Sequence, residues 1–183
     1  VDDIRECIGC NVCVAVENDG VVVRCTQNPT MSEEWRRGWH PEHVPATEKA
    51  ETVLIVGGGP AGLEAALTLA RAGHEVTLAE AGTEWGGRVT RESRIANLSS
   101  YGRVRDYRTY QLSQLSNANL YLDSSMDAAG IAEMGAEHVL IATGSRWLET
   151  GRGRMSMEPI PGFTGSAFTP DDLLGGTDQK ALQ

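Results

Sequence analysis

Thiols are scarce in this chain. Of 183 residues only four are cysteine, all at or before position 25, and none remains for a disulfide framework elsewhere. Positive charge is short as well: 16 basic residues stand against 25 acidic ones, for a net charge of −9. A nucleic-acid surface must neutralise phosphate with basic side chains, so this balance argues against one. With no acidic run, the excess reads as solvated surface. No stretch of about 18 uncharged apolar residues is present, so no membrane span is expected, and no basic-then-apolar secretory leader opens the chain. The sequence has no HExxH pair, no Ser-His-Asp set and no paired catalytic carboxylates, and His40, His43, His74 and His138 are scattered without ligand spacing. Internal repeats and low-complexity tracts are also missing. The chain opens at Val1 in mid-pattern, VDDIRECIGC, and reads as a piece of something longer.

What is present is concentrated. Cys7, Cys10, Cys13 and Cys25 form C-x2-C-x2-C-x11-C. Three thiols at two-residue spacing make a tripod, and a fourth returns from nearby, which suits the four thiolates of an iron–sulfur cluster. Structural zinc also uses four cysteines but favours two separated Cys-x2-Cys knuckles, and unligated thiols are the third reading. Thiols committed to ligation imply a reducing, cytoplasmic compartment. Arg5 and Arg24 stand next to ligands, placed to offset thiolate charge or to serve as ordinary surface residues. Val12–Val16 and Val21–Arg24 are β-rich and flank Glu17-Asn18-Asp19-Gly20, which predicts a hairpin. Centred on Asp19, that hairpin sets Cys13 opposite Cys25.

Residues 1–50 are otherwise irregular, and residues 41–51, with two prolines and mixed charge, read as a linker. A nucleotide-binding pattern follows: strand Thr52–Val56, a glycine turn, helix Pro60–Ala72, a stop at Gly73 and strand Glu75–Ala79. Gly57 permits the tight turn, Gly59 lets backbone approach a pyrophosphate, Pro60 and Ala61 open the helix, and Gly62 lets helix and strand pack closely. The helix N-terminus favours an anion. Glu80, 18 residues after Gly62, is placed to accept hydrogen bonds from an adenosine ribose and to repel a 2′-phosphate. Gly86, Gly87 and Arg88 are expected near the diphosphate, and Ala142, Thr143 and Gly144 close a buried strand, His138–Thr143, where small residues admit a cofactor. A helix is expected around Tyr101–Leu115 and a strand at Asn119–Asp123. Tyr101, Tyr107 and Tyr110 are candidates for an electron exit route, with ordinary packing as the alternative. A one-electron centre beside a nucleotide-binding fold points to an electron-transfer flavoenzyme.

The stretches IRECIGCNVC (4–13), RCTQNPT (24–30), EEWRRGWHPE (33–42), VLIVGGGPAGLEAA (53–66), DYR (106–108), HVLIATGSRW (138–147) and PIPG (159–162) resemble the trimethylamine/dimethylamine dehydrogenase family of iron–sulfur flavoproteins, with dienoyl-CoA reductases as more distant relatives. That resemblance implies an α/β, Rossmann-like FAD/NAD(P)-binding domain at 51–183 (three layers, a parallel sheet plus β-meander), preceded by an iron–sulfur segment at 1–50. It implies a 4Fe–4S cluster on the four cysteines and ADP or FAD at the Gly57–Gly62 loop. FMN and substrate would sit in a TIM barrel before Val1, and a second Rossmann domain and final sheet strand would lie beyond this chain. The first sheet is then expected to expose an edge. Electrons would pass from FMN through the cluster to an electron-transferring flavoprotein, within a homo-oligomeric enzyme. The alternatives are the corresponding segment of an FAD-containing, NADPH-linked reductase of the dienoyl-CoA type, and a non-catalytic nucleotide-binding module with structural zinc.

Overall fold

A computed structural model of the chain describes residues 3–34, 44–152, 158–159, 161–162 and 168–174. It divides into two units, Val1–Thr143 and Gly144–Gln183. Trp35, Trp39, His40 and His43 lie outside the described residues.

In the first unit, β1 (Thr52–Val56), α2 (Pro60–Ala72) and β2 (Glu75–Ala79) occupy the ranges that the apolar runs and glycine stops predict. The short helix α1 (Val12–Asn18) precedes them. After β2 come α3 (Arg88–Glu92), a 3-10 turn (Ser99–Gly102), α4 (Arg103–Ser113), β3 (Ala118–Tyr121), α5 (Ala128–Glu133) and β4 (His138–Ile141). The four strands form one parallel sheet in the order β3-β2-β1-β4. No second sheet is found among the described residues.

The sheet order follows from the sequence. A parallel pair needs a crossover, and the apolar stripe of α2 supplies one that covers the sheet. Leu63, Ala66, Leu67 and Ala70 recur at helical spacing and pack with Val53 and Ile55 of β1 and Val76 and Leu78 of β2. Each fully buried leucine there contributes on the order of 1.5–3 kcal/mol. Pro60 opens α2 without forfeiting a hydrogen bond, having no N–H to give. Gly73, at φ 101, ends it while its N–H and that of His74 reach back to the Ala70 and Leu69 carbonyls. Tyr107 and Leu112 bring α4 onto the same core.

On the opposite sheet face, Leu54 and Val56 are buried, but their register partners Val139 and Ile141 on β4 are exposed. Among the described residues β4 and β3 are the sheet edges.

The second unit holds α6 (Pro170–Leu174). Thr169 and Asp172 cap it reciprocally: the Thr169 N–H and hydroxyl donate to Asp172 Oδ2 at 2.6 and 2.7 Å, and the Asp172 N–H donates to Thr169 Oγ1 at 3.3 Å. The Thr169 N–H holds the Asp172 carboxyl below its ordinary range.

Candidate functional site

The glycine loop between β1 and α2 is packed to backbone contact. A Cβ on Gly57 would lie 2.4 Å from the Ala142 carbonyl oxygen, and one on Gly62 would lie 1.8 Å from the Gly57 carbonyl oxygen. Both positions therefore demand glycine, and Gly57, at φ 110, demands it for its conformation too. Gly59 is different. The direction its Cβ would take is open space, at the first turn of α2, where helix geometry leaves the Ala61 and Gly62 amides without intrahelical acceptors. That combination of vacancy, N–H donors and helix dipole is what a pyrophosphate requires.

Glu80 closes one side of this loop. Its Oε2 accepts from the Gly58 N–H at 2.6 Å and its Oε1 from the Gly82 N–H at 2.7 Å. The carboxylate thus sits at the end of β2 with both oxygens fixed and lone pairs left for ribose hydroxyls. The second glycine pair lies across from the first: the Gly86 N–H donates to the Gly58 carbonyl at 2.8 Å, and a Cβ on Gly87 would come within 3.5 Å of the Gly59 Cα. Gly87 adopts φ 55 and ψ −124, and Arg88 begins α3 directly after it. Trp85 packs on Gly58, where a Cβ would meet its ring at 2.5 Å, a contact the sequence does not announce. Ala142, directly after β4, seals the loop, its N–H donating to the Val56 carbonyl at 2.7 Å. Thr143 ends the first unit, and Gly144, at φ 84, begins the second.

The cysteine segment is also organised, though not as the hairpin expected from its valines. Val12–Asn18 is helix α1, so Cys13 does not pair across a ladder with Cys25. Asn11, at φ 56, turns the chain into that helix, and Gly20, at φ 69, ends it. The Gly20 and Val21 amides donate back to the Glu17 and Val16 carbonyls, which is the hydrogen-bond pattern of a glycine helix stop. A glycine with positive φ serves a hairpin and a helix end equally, and here it serves the helix.

The fourth cysteine still comes back to the tripod, by another contact. The Thr26 hydroxyl, next to Cys25, lies 3.0 Å from Cys10 Sγ. Backbone N–H groups of Gly9 and Gln27 donate to Cys7 Sγ and Cys25 Sγ, each at 3.3 Å. Burial pushes the Cys10 thiol up, but hydrogen bonds from the Thr26 hydroxyl and from the Val12, Cys10 and Thr26 amides outweigh it and hold the thiol below its usual range. All four cysteines are free, and three are set up as acceptors, the state in which thiolates bind metal. Among the described residues no three His, Cys, Asp or Glu side chains converge on a point suited to one metal ion. Four thiolates are the ligand set of an iron–sulfur cluster. The soft donor set and the aimed N–H groups fit the cluster.

Helix α4 and the turn before it hold both halves of this segment. Ser100 Oγ donates to the Ile8 carbonyl at 3.0 Å, and Arg103 Nη1 donates to the Cys7 carbonyl at 2.9 Å. Arg103 also pairs with Glu6 at 3.1 Å. Arg108, 3% exposed, donates to Glu64 of α2 at 2.6 Å and to the Gln27 side chain at 2.8 Å. Burial lowers its affinity for its proton, the Glu64 carboxylate raises it, and Arg5 lowers it again. The Arg5 side chain, 8% exposed, lies 3.7 Å from Glu64 with its guanidinium 4.8 Å above the Tyr107 ring. Tyr107 is thus a core residue, while Tyr110 stands exposed. Arg24 pairs with the buried Glu33 at 2.6 Å. A buried arginine leaves no trace in hydropathy, and DYR (106–108) was its only marker in the sequence.

Residues 51–173 match the pyridine nucleotide-disulphide oxidoreductase family. The chain is 42% identical to dimethylamine dehydrogenase of Hyphomicrobium sp. (strain x), over 96% of its own length and 25% of that protein's. Histamine dehydrogenase from Rhizobium sp. 4-9 superposes with TM-score 0.85 at 51% identity, covering 95% of this chain and 25% of that one. The 6-hydroxypseudooxynicotine amine oxidase from Pseudomonas geniculata N1 superposes with TM-score 0.81 at 53% identity, covering 88% and 24%. The chain therefore spans about a quarter of the length of these relatives. They bear out the resemblance to the dimethylamine dehydrogenases and the α/β fold expected from the cysteine and glycine motifs. No helix among the described residues is long and apolar enough to cross a membrane. The chain belongs to the pyridine nucleotide-disulphide oxidoreductase family, and its likeness within that family is to the amine dehydrogenases.

Proposed function

We propose that this chain is the electron-relay segment of an amine-dehydrogenase-like oxidoreductase, with Cys7, Cys10, Cys13 and Cys25 holding a 4Fe–4S cluster and the glycine loop holding ADP or FAD. When bound, such a cluster takes up and releases one electron at a time. The observation that carries the reading is the approach of the Cys25 segment to the tripod, with Thr26 Oγ1 3.0 Å from Cys10 Sγ. A lone cysteine loop would need no such return. Gly9 and Gln27 aim backbone amides at the sulfurs of Cys7 and Cys25. Arg108 and Arg103 fix the two ligand segments to one helix.

At the nucleotide site Gly59 leaves room for the diphosphate, the Ala61 and Gly62 amides donate to it, and Glu80 takes the ribose. Gly57, Pro60 and Gly62 shape the turn, Gly87 and Arg88 face it from the start of α3, and Ala142 and Thr143 back it from just beyond β4, with Gly144 next in the chain. In the whole enzyme, electrons would arrive from an FMN-bearing barrel and leave to an electron-transferring flavoprotein, in the reducing cytoplasm that suits unpaired thiols.

The test is anaerobic purification followed by iron, acid-labile sulfide and bound-nucleotide analysis. About four irons and four sulfides per chain, with a broad visible absorbance that bleaches with dithionite, are expected. Cys25→Ser should lose that absorbance and keep its nucleotide. A full cluster spectrum in Cys25→Ser would sink the ligand assignment, and zinc without sulfide would sink the relay.

A further inference from the structure

Among the sulfur contacts of the described residues, one is made by a side chain. Gly9 and Gln27 approach Cys7 and Cys25 with backbone amides, donors that no replacement other than proline removes. Thr26 approaches Cys10 with its hydroxyl, 3.0 Å away and 16 residues on in the chain. In a thiol either atom of that pair can donate. A metal-ligating thiolate has no proton, so the hydroxyl becomes the donor.

The position of that hydroxyl is fixed from both sides. Cys25 precedes it, and Gln27 follows it with three anchors. The Gln27 side chain donates to the Glu6 carbonyl at 3.1 Å, its Oε1 accepts from Arg108 at 2.8 Å, and the Gln27 backbone carbonyl accepts from Arg108 at 3.2 Å. Thr26 is therefore presented to Cys10 by a segment that α4 holds in register.

We propose that Thr26 is a positioning residue of the relay, its hydroxyl donating to Cys10 Sγ and thereby raising the reduction potential of the cluster. This rests on the reading that the four cysteines hold that cluster. Reduction adds one negative charge to the sulfur-bound centre. A donor on a ligand sulfur stabilises the more negative state more than the less negative one. The hydroxyl keeps its proton throughout, so its contribution is a hydrogen bond and no proton is moved.

The experiment compares wild type, Thr26→Val, Thr26→Ala and Thr26→Ser in the anaerobic holoprotein. Iron and sulfide are assayed first, and the midpoint potential is then read by paramagnetic resonance during a dithionite titration. Thr26→Val, close in size to threonine, should keep its iron and require a lower potential. At fixed poise its ratio of reduced to oxidised centres should fall about tenfold, equivalent to ~59 mV for a one-electron couple. Thr26→Ser keeps the hydroxyl and should titrate with wild type. Full iron with an unchanged potential in Thr26→Val would overturn the inference. Loss of iron from both Thr26→Val and Thr26→Ala would also overturn it, leaving the hydroxyl a stitch between segments. Wild-type protein without iron or sulfide would instead overturn the cluster reading, a result seen before any variant is compared.

Discussion

Arg108 Nη1 lies 2.8 Å from Gln27 Oε1, joining helix α4 to the segment that carries Cys25 across 81 residues of sequence. The same guanidinium donates to Glu64, on the helix whose N-terminus faces the nucleotide site, so one buried cation ties the two candidate sites together. Arg108→Met keeps the volume and removes the charge. It takes from Gln27 its Arg108 donor and leaves Glu64 only the longer contact with Arg5 at 3.7 Å, and truncating one partner of a buried pair costs about 3–5 kcal/mol. Gln27→Ala should cost less, about 1–2 kcal/mol. The two changes should be non-additive in urea unfolding by at least about 0.5 kcal/mol. Strict additivity would mean the bond contributes nothing.

The glycines of the nucleotide loop should separate into two kinds. Gly62→Ala forces a Cβ to 1.8 Å from a backbone oxygen, so strand and helix must part. Such overpacking typically costs about 1–3 kcal/mol. Gly59→Ala meets nothing within 4 Å, and its φ of −73 suits alanine. Its stability should stay within about 0.5 kcal/mol of wild type, while its added methyl fills the space assigned to the pyrophosphate. Thermal unfolding and ADP titration on both variants give the check. If Gly59→Ala bound ADP as wild type does, the diphosphate would not sit there.

Glu80 has two duties that one substitution tests. Glu80→Gln replaces one carboxylate oxygen with an amide group that cannot accept from Gly58 or Gly82. ADP affinity should fall roughly tenfold or more, since hydrogen bonds to a charged group contribute about 1.5–3 kcal/mol. Discrimination against a 2′-phosphorylated ADP should weaken at the same time, because the repelling charge is gone. Calorimetric titration with the two ligands reads both effects. Equal losses for both ligands would remove Glu80 from the ribose.

Much of the nucleotide half was legible because its signals are local. A glycine at φ 110, a proline without an N–H and an apolar stripe at helical spacing each dictate the backbone where they stand. The cysteine half was legible in composition but not in conformation. Valines at 12, 14 and 16 favour strand, and Asn-Asp-Gly favours a turn, yet Asn11 in the left-handed region diverts the chain into α1 and Gly20 ends that helix. Trp85 on Gly58 and Arg108 on Gln27 were invisible, because each joins segments that only the folded core brings together.

Glu137 offers a test by pH. Its carboxylate accepts from the Thr52 N–H at 2.8 Å, at the point where β1 begins beside β4. That backbone N–H outweighs the opposing desolvation and, with lesser help from Lys49, the Thr52 hydroxyl and His138, holds the carboxyl below its ordinary range, which for glutamate is about 4.3. A carboxylate whose folded pKa is depressed contributes stability above its unfolded pKa and loses it as pH falls through the folded value. Glu137→Gln should therefore be less stable than wild type at neutral pH. The gap should begin to close below about pH 4.3 and vanish at lower pH, where Glu137 is protonated in both states. His138 also faces Glu51 at 3.0 Å, so the comparison is best made with Glu51→Gln as a second reference. Urea unfolding of the three proteins at stepped pH gives the answer. A gap between wild type and Glu137→Gln that stayed constant down to pH values where carboxylates are neutral would assign the loss to packing, and the Thr52 contact would have no electrostatic share.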